Sequence, residues 1–380
     1  MTERWTLTGR GDPKVWGIVR KSTVFLMVLW ALTWAHGAEA RAPGLDPDAV
    51  QARRFHRWVS TLTGPEVHQG YAMAHEVFRV AADLNQARPG VVQPIMLGHS
   101  VERRPIWGFR IQRPGTEPHA KVLVFAGIHA LEWISTQTAL EALRELAGSP
   151  PAGVQVVVVP LLNPDGRARA EADRLSGVRR YRRSNARGVD LNRDFGVNRE
   201  AKALWRHLLP SYYRASPAPL SQPESRALDR LLARERFDAA LSLHAFGGFV
   251  YTPWAGLWER PQDWGEHHRL ATVMSQSQGA HAYKVRQLAR WGFFFRAHGA
   301  EIDHIYGKYG TKAFLIELTR SGLRPFRPSS LKDPFRWYNP ERPERHVSKG
   351  WSAIRALVHT LSRERSSVHP RHLDAAEHDR

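Results

Sequence analysis

The 380-residue chain contains no cysteine. That absence excludes a disulfide framework, a thiol nucleophile and any Cys-ligated metal, and with them every cysteine peptidase. Long apolar runs are missing too. The longest candidate, Thr23–Ala35, has 13 residues, against roughly 20 for a helix that spans a bilayer. There is no internal repeat, no glycine-rich phosphate loop and no Gly-x-Ser-x-Gly elbow, which leaves nucleotide-dependent and serine-hydrolase readings unsupported. Acidic residues are the scarcer charge: 36 Asp and Glu face 55 Lys and Arg, for a formal net charge of +19. No zinc-finger spacing, RNA-recognition signature or basic heptad repeat accompanies that charge, so specific nucleic-acid binding is not expected. Weak adhesion to an anionic envelope polymer such as peptidoglycan suits it better.

With 42% hydrophobic and 24% charged residues, 14 Trp and 25 Pro, the chain suits one large, ordered, loop-rich α/β domain. Arg20-Lys21 precede the short apolar run, and Ala38-Glu-Ala40 supplies a small-residue cleavage signal. Residues 1–40 therefore read as a signal peptide cut after Ala40, giving a periplasmic or secreted protein with no transmembrane anchor in its mature form. That segment holds five basic and three acidic residues, so removing its net +2 leaves +17. Residues 41–55 read as a polar leader, 56–365 as the folded domain, and 366–380, with His369, His372 and His378, as a disordered tail. Strands are expected at 121–128, 154–161, 237–244 and 313–318, alternating with helices in a mixed central sheet covered on both faces. A hairpin is expected from 91–97 and 105–111, a helical stretch over 57–85 broken at Gly64-Pro65, and a closing helix over 348–362. Ser221-Gln-Pro-Glu224 has the form of a capping box.

The most informative stretch is His129-Ala-Leu-Glu132, placed where an apolar strand ends and a helical pattern begins. A His and a Glu three residues apart can turn towards one point and suit a divalent zinc ion. Spacing alone decides nothing, since His36/Glu39, His99/Glu102 and His298/Glu301 share it. Strand-to-helix context selects the pair at 129 and 132. A zinc enzyme needs a third protein ligand and an open position for water. The best third candidate is His244, at the end of the apolar run Phe237–His244 and followed by small residues. A Glu inside Ala313-Phe-Leu-Ile-Glu-Leu318 is costly to bury unpaired, which favours a site role for Glu317.

Five motifs in order resemble the zinc metallocarboxypeptidases of the carboxypeptidase A type, peptidase family M14. They are Gly127-Ile-His-Ala-Leu-Glu-Trp133, Asn163-Pro-Asp-Gly166, Gly188-Val-Asp-Leu-Asn-Arg193, Ser242-Leu-His244 and Phe314-Leu-Ile-Glu-Leu318. The resemblance implies an α/β fold with one zinc ion held by His129, Glu132 and His244. It implies Glu317 as general base, Asn192 and Arg193 as the pair gripping a substrate's free C-terminal carboxylate, and Arg183 as the oxyanion arginine, with Arg182 as its alternative. It also implies a cis peptide between Ala245 and Phe246. Three positions depart from the pattern. Phe295 falls where the family has a capping tyrosine, Leu131 replaces an arginine, and Asp194 replaces an asparagine and adds charge beside the carboxylate clamp.

Ile302 aligns with the specificity position and favours apolar terminal side chains, while Glu301 beside it offers attraction to a basic group, including the amine of diaminopimelate. Three functions follow. The leading one is an exported zinc carboxypeptidase acting on the C-terminal bond of peptides; the second is a peptidoglycan stem-peptide hydrolase of the same chemistry. The third is a non-catalytic envelope-binding protein that keeps the fold, against which the intact ligands and Glu317 argue.

Overall fold

Val154–Val159 reads Val-Gln-Val-Val-Val-Val, and all six residues are buried. An uninterrupted apolar run of this kind belongs in a strand covered on both faces. In the computed structural model, which describes residues 46–200, 216–292, 296–320 and 332–364, it lies inside an eight-stranded sheet. Two compact units, 1–50 and 51–380, divide the chain. The second carries the whole sheet and every described helix, apart from the opening residues of helix α1 (Pro47–Val59). The sequence reading assigned most of this helix to a polar leader. Its one fully buried side chain, Phe55, packs edge-on to Trp107 at 5.1 Å and Phe109 at 5.2 Å, which explains why a polar segment is ordered.

Two short strands, β1 (Val67–His68) and β2 (Tyr71–Ala72), pair just after Gly64-Pro65, where the sequence reading expected helix, and helix α2 (Ala74–Ala87) follows. The hairpin β3 (Val92–His99) and β4 (Pro105–Ile111) forms as expected. After it come β5 (Ala120–Phe125), α3 (Trp133–Gly148), β6 (Val154–Val159), α4 (Pro164–Leu175), α5 (Pro223–Glu235) and β7 (Ala239–Ala245). The chain continues through β8 (Phe249–Thr252), α6 (Trp264–Gln276), β9 (Lys284–Gln287), α7 (Glu301–Tyr309) and β10 (Lys312–Leu318). It closes with the short α8 (Pro334–Tyr338) and the long α9 (Glu344–Glu364).

The sheet order is β3-β4-β6-β5-β7-β10-β8-β9. Its centre, β6-β5-β7-β10, is parallel, with antiparallel pairings at β4/β6 and β10/β8. Successive residues point to opposite faces. Val122 and Val124 join one apolar cluster with Ile134, Leu270 and Leu357, while Leu123 and Phe125 join another with Leu228, Leu231 and Ile305. Helices α3, α6 and α9 thus cover one face, and α5 and α7 the other. Each such buried side chain contributes roughly 1.5–3 kcal/mol, so the central strands form a fixed base. At the carboxyl ends of its adjacent strands β5, β7 and β10 the candidate residues meet, as expected for a parallel sheet. The Ala245–Phe246 peptide is cis.

Candidate metal centre

Loop 126–132 joins β5 to α3, and its own packing sets its shape. Gly127 has φ +66°, and a Cβ there would stand 2.7 Å from Leu161 Cδ1, so only glycine fits. Asn163 accepts a hydrogen bond from the Gly166 amide at 2.9 Å, capping α4, and donates to Ile128 O at 3.2 Å. Asn339 accepts from Ile134 N at 2.9 Å and donates to Leu131 O at 2.6 Å. The Trp133 indole donates to Ala130 O at 3.1 Å and carries the Arg167 guanidinium 3.8 Å from its ring centroid.

Gly166 lets α4 approach this loop. A Cβ on it would lie 2.7 Å from Ser184 O and 2.8 Å from Ala130 Cβ. Backbone cannot yield as a side-chain tip can. Gly166→Ala is therefore expected to destabilise the fold by about 1–3 kcal/mol, read as a lower denaturation midpoint with an unchanged slope.

On this base the two imidazoles and the carboxylate converge. His129 Nδ1 lies 2.8 Å from Glu132 Oε1, and His244 Nδ1 lies 3.1 Å from His129 Nδ1 and 3.3 Å from Glu132 Oε2. All three side chains are buried, and one donor atom from each falls within 4.8 Å of the others. Among the described residues no other group of His, Asp and Glu meets this geometry.

The far nitrogen of each ring meets a carboxylate. His129 Nε2 is 3.1 Å from Asp190 Oδ1, and His244 Nε2 is 2.8 Å from Glu301 Oε1. Carboxylates accept, so each Nε2 carries a proton and each Nδ1 aims a lone pair at the shared point. Two lone pairs 3.1 Å apart call for a positive charge between them. The electrostatics agree. Burial opposes a charged His244, yet Glu301 and Glu132 outweigh it and push its pKa up to about 10. Burial also opposes ionised Glu132, but His129 and His244 hold it down to about 2. Asp190, buried as well, is kept far below the usual carboxylate range by Arg183, His129 and Arg193.

The sequence profile of the family described as zinc carboxypeptidase, peptidase M14, matches residues 77–332. The chain belongs to the zinc carboxypeptidase family. Mouse carboxypeptidase A2 is 27% identical over 272 residues, 67% of this chain and 64% of that protein, so the chain spans just under two thirds of this curated relative. Among solved structures, carboxypeptidase A from Helicoverpa armigera superposes with a TM-score of 0.65 at 20% identity, covering 82% of this chain and 80% of that one. A metallo-carboxypeptidase from Burkholderia cenocepacia gives 0.52 at 18% identity, over 76% and 70% of the two chains.

The residues fit the zinc that gives the family its name. Two nitrogens and a carboxylate form a borderline-soft donor set. Glu132, Asp190 and Glu301 surround the two imidazoles with carboxylate charge, the field that raises His244, and a dication at the shared point would meet that field in place of a proton.

Glu317 on β10 stands opposite His244 on β7 in the parallel register, so the two share a face. Its Oε2 is buried with no hydrogen-bond partner among the described residues. Arg183 donates from Nε to Asp190 Oδ2 at 2.8 Å, with Nη1 3.7 Å from Glu132 Oε1. Arg182 donates instead to Asp173 on α4 at 2.6 Å, so it is Arg183 that borders the cluster. Asn192 and Arg193 lie on a single turn capped by Asp190, whose Oδ1 accepts from Asn192 N at 3.0 Å. Asn192 Oδ1 accepts from Glu301 N at 3.1 Å, which brings this turn to the other side of the cluster. Ile302 is fully buried in the apolar cluster that holds Ile305 and Leu315. Phe295 lies outside the described residues.

Three sequence readings need correction. Asp194 turns its carboxylate to the start of α5: it is fully buried and accepts from Ser221 N, Ser221 Oγ and Gln222 N at 3.2, 2.7 and 2.9 Å. The same contacts replace the supposed capping box, because Ser221 donates to Asp194 and the cap position is Gln222. Glu301, set aside as one of the bland His-x-x-Glu matches, enters the centre through His244 and not through His298. Sequence reasoning gave no role to Asp190, Asn339 or this contact of Glu301. Only Asp190 carried a signal, as the acid of Gly188-Val-Asp190.

Proposed function

We propose that this chain is a zinc carboxypeptidase that releases single C-terminal residues from peptides. The observation that carries this reading is Glu317, whose Oε2 is buried with no partner among the described residues, in register with His244. Zinc bound by His129, Glu132 and His244 supplies Lewis acidity and lowers the pKa of water. The rest is work for the chain's own residues. Glu317 Oε2 takes a proton and returns it to the leaving amine. Arg183, held by Asp190, presents its guanidinium where negative charge develops on the scissile carbonyl. Arg193 and Asn192 grip the terminal carboxylate, for which a planar guanidinium is suited. With that carboxylate at 192–193, the bond offered to Glu317 and Arg183 would be the last one.

The test is hydrolysis of matched peptides with free, amidated and diaminopimelate-bearing termini by zinc-loaded protein. Rapid release from the free terminus and at least about tenfold slower release from the amide is expected. Arg193→Ala should bring that ratio close to one. Activity confined to diaminopimelate termini would replace this reading with the stem-peptide hydrolase, which the +17 charge of residues 41–380 favours. No cleavage of any peptide by zinc-loaded protein would favour the non-catalytic binder. The same proposal includes export by way of the apolar segment ending near Ala40. N-terminal sequencing of protein recovered outside the cytoplasm checks it, with Arg41 as the expected first residue.

A further inference from the structure

Beside the metal cluster lies a cavity of about 390 Å³ that the carboxypeptidase reading does not use. Four arginines line it, Arg169, Arg182, Arg183 and Arg187, and no acidic residue does. Arg183 belongs to both places, bordering Glu132 on one side and the cavity on the other. The site therefore has two poles. Asn192 N and Arg183 Nε take the two oxygens of Asp190, Oδ1 at 3.0 Å and Oδ2 at 2.8 Å, so the turn proposed to grip the terminal carboxylate lies on one side of that acid and Arg183, with the cavity, on the other.

Resting on the carboxypeptidase reading, we propose that this cavity is a subsite for a carboxylate side chain on the acyl side of the scissile bond. The preferred substrates are then peptides with an acidic residue shortly before the one released. The cavity is preformed. Asn185 ties its rim by accepting from Arg187 N and Val189 N, both at 3.1 Å, and by donating to Gln222 Oε1 at 2.9 Å and Glu224 Oε2 at 3.2 Å. Three of the four guanidiniums already have acidic partners outside the lining: Arg169 with Glu102, Arg182 with Asp173, and Arg183 with Asp190. Those contacts hold the arginines at the rim, and Arg169 also donates from Nη1 to Ala186 O at 2.9 Å. Arg187 is exposed, and its guanidinium has no hydrogen bond or ion pair among the described residues. With three of the four charges paired to acids behind the lining, one cation, Arg187, is left over for an incoming carboxylate to meet by charge-assisted hydrogen bonds.

The experiment compares peptide pairs that share a terminal residue and carry Glu or Gln at the first or second position on the acyl side. With zinc-loaded protein at low salt, kcat/KM is expected to favour Glu by about tenfold or more at one of these positions. The preference should shrink as salt rises to about 0.5 M, and Arg187→Glu should remove it. Glu and Gln peptides that agree within about twofold at both positions would overturn the subsite and leave the carboxypeptidase reading standing. If no peptide is cleaved, that reading fails first, and calorimetric binding of the same pairs to the zinc-loaded protein decides the subsite alone. Equal affinities would then sink it.

Discussion

Glu317→Gln is expected to lower kcat/KM on a free-terminus peptide by about 10² to 10⁴-fold while the protein keeps its zinc. The substitution preserves shape and removes the one property at issue, the ability to hold a proton. Burial pushes the Glu317 carboxyl up to about 8 in the metal-free protein, with His244 and Arg183 pulling down and Glu132 and Glu301 pushing up. A cation held by His129, Glu132 and His244 adds attraction for the ionised form and draws that value towards neutrality, where a general base is effective. Retained zinc separates this loss from damage to the ligands, and a circular-dichroism melt separates it from unfolding. Turnover within about tenfold of wild type would remove Glu317 from proton transfer and hand that role to another group.

Whether a residue's place in the site was legible in the sequence depended on how local its cause is. His129 and Glu132 were readable because one strand-to-helix junction places both. His244 and Glu317 were readable because each closes or nearly closes an apolar strand. Asp194 was misread because its meaning is set by a helix start more than 25 residues on, where its carboxylate competes successfully with Ser221 for the free amides. Strands β8 and β9 escaped notice because four residues show too little alternation to register. Helix α7 escaped because nine residues with a glycine at 307 make a weak pattern. Its placement is what brings Glu301 to His244, so that contact was invisible for the same reason.

That contact yields the second large effect. Glu301 Oε1 accepts from His244 Nε2 at 2.8 Å and from Ser242 Oγ at 3.0 Å, deep in the fold with no solvent exposure. A carboxylate on the far nitrogen fixes the tautomer and makes the near nitrogen a better donor, and loss of such a partner typically weakens metal binding about 10–100-fold. Glu301→Gln should therefore lose zinc to a competing chelator at concentrations that leave the wild type loaded, with Asp190→Asn showing the same on the His129 side. His244→Ala, which removes a ligand outright, should lose more than either. Zinc retention is the readout because it separates metal support from substrate attraction. If Glu301 served only to attract a basic terminal side chain, its amide variant would hold zinc like the wild type and change the preference for lysine over leucine termini instead. Wild-type zinc retention in Glu301→Gln would thus leave the 2.8 Å contact as packing and return the residue to the specificity pocket.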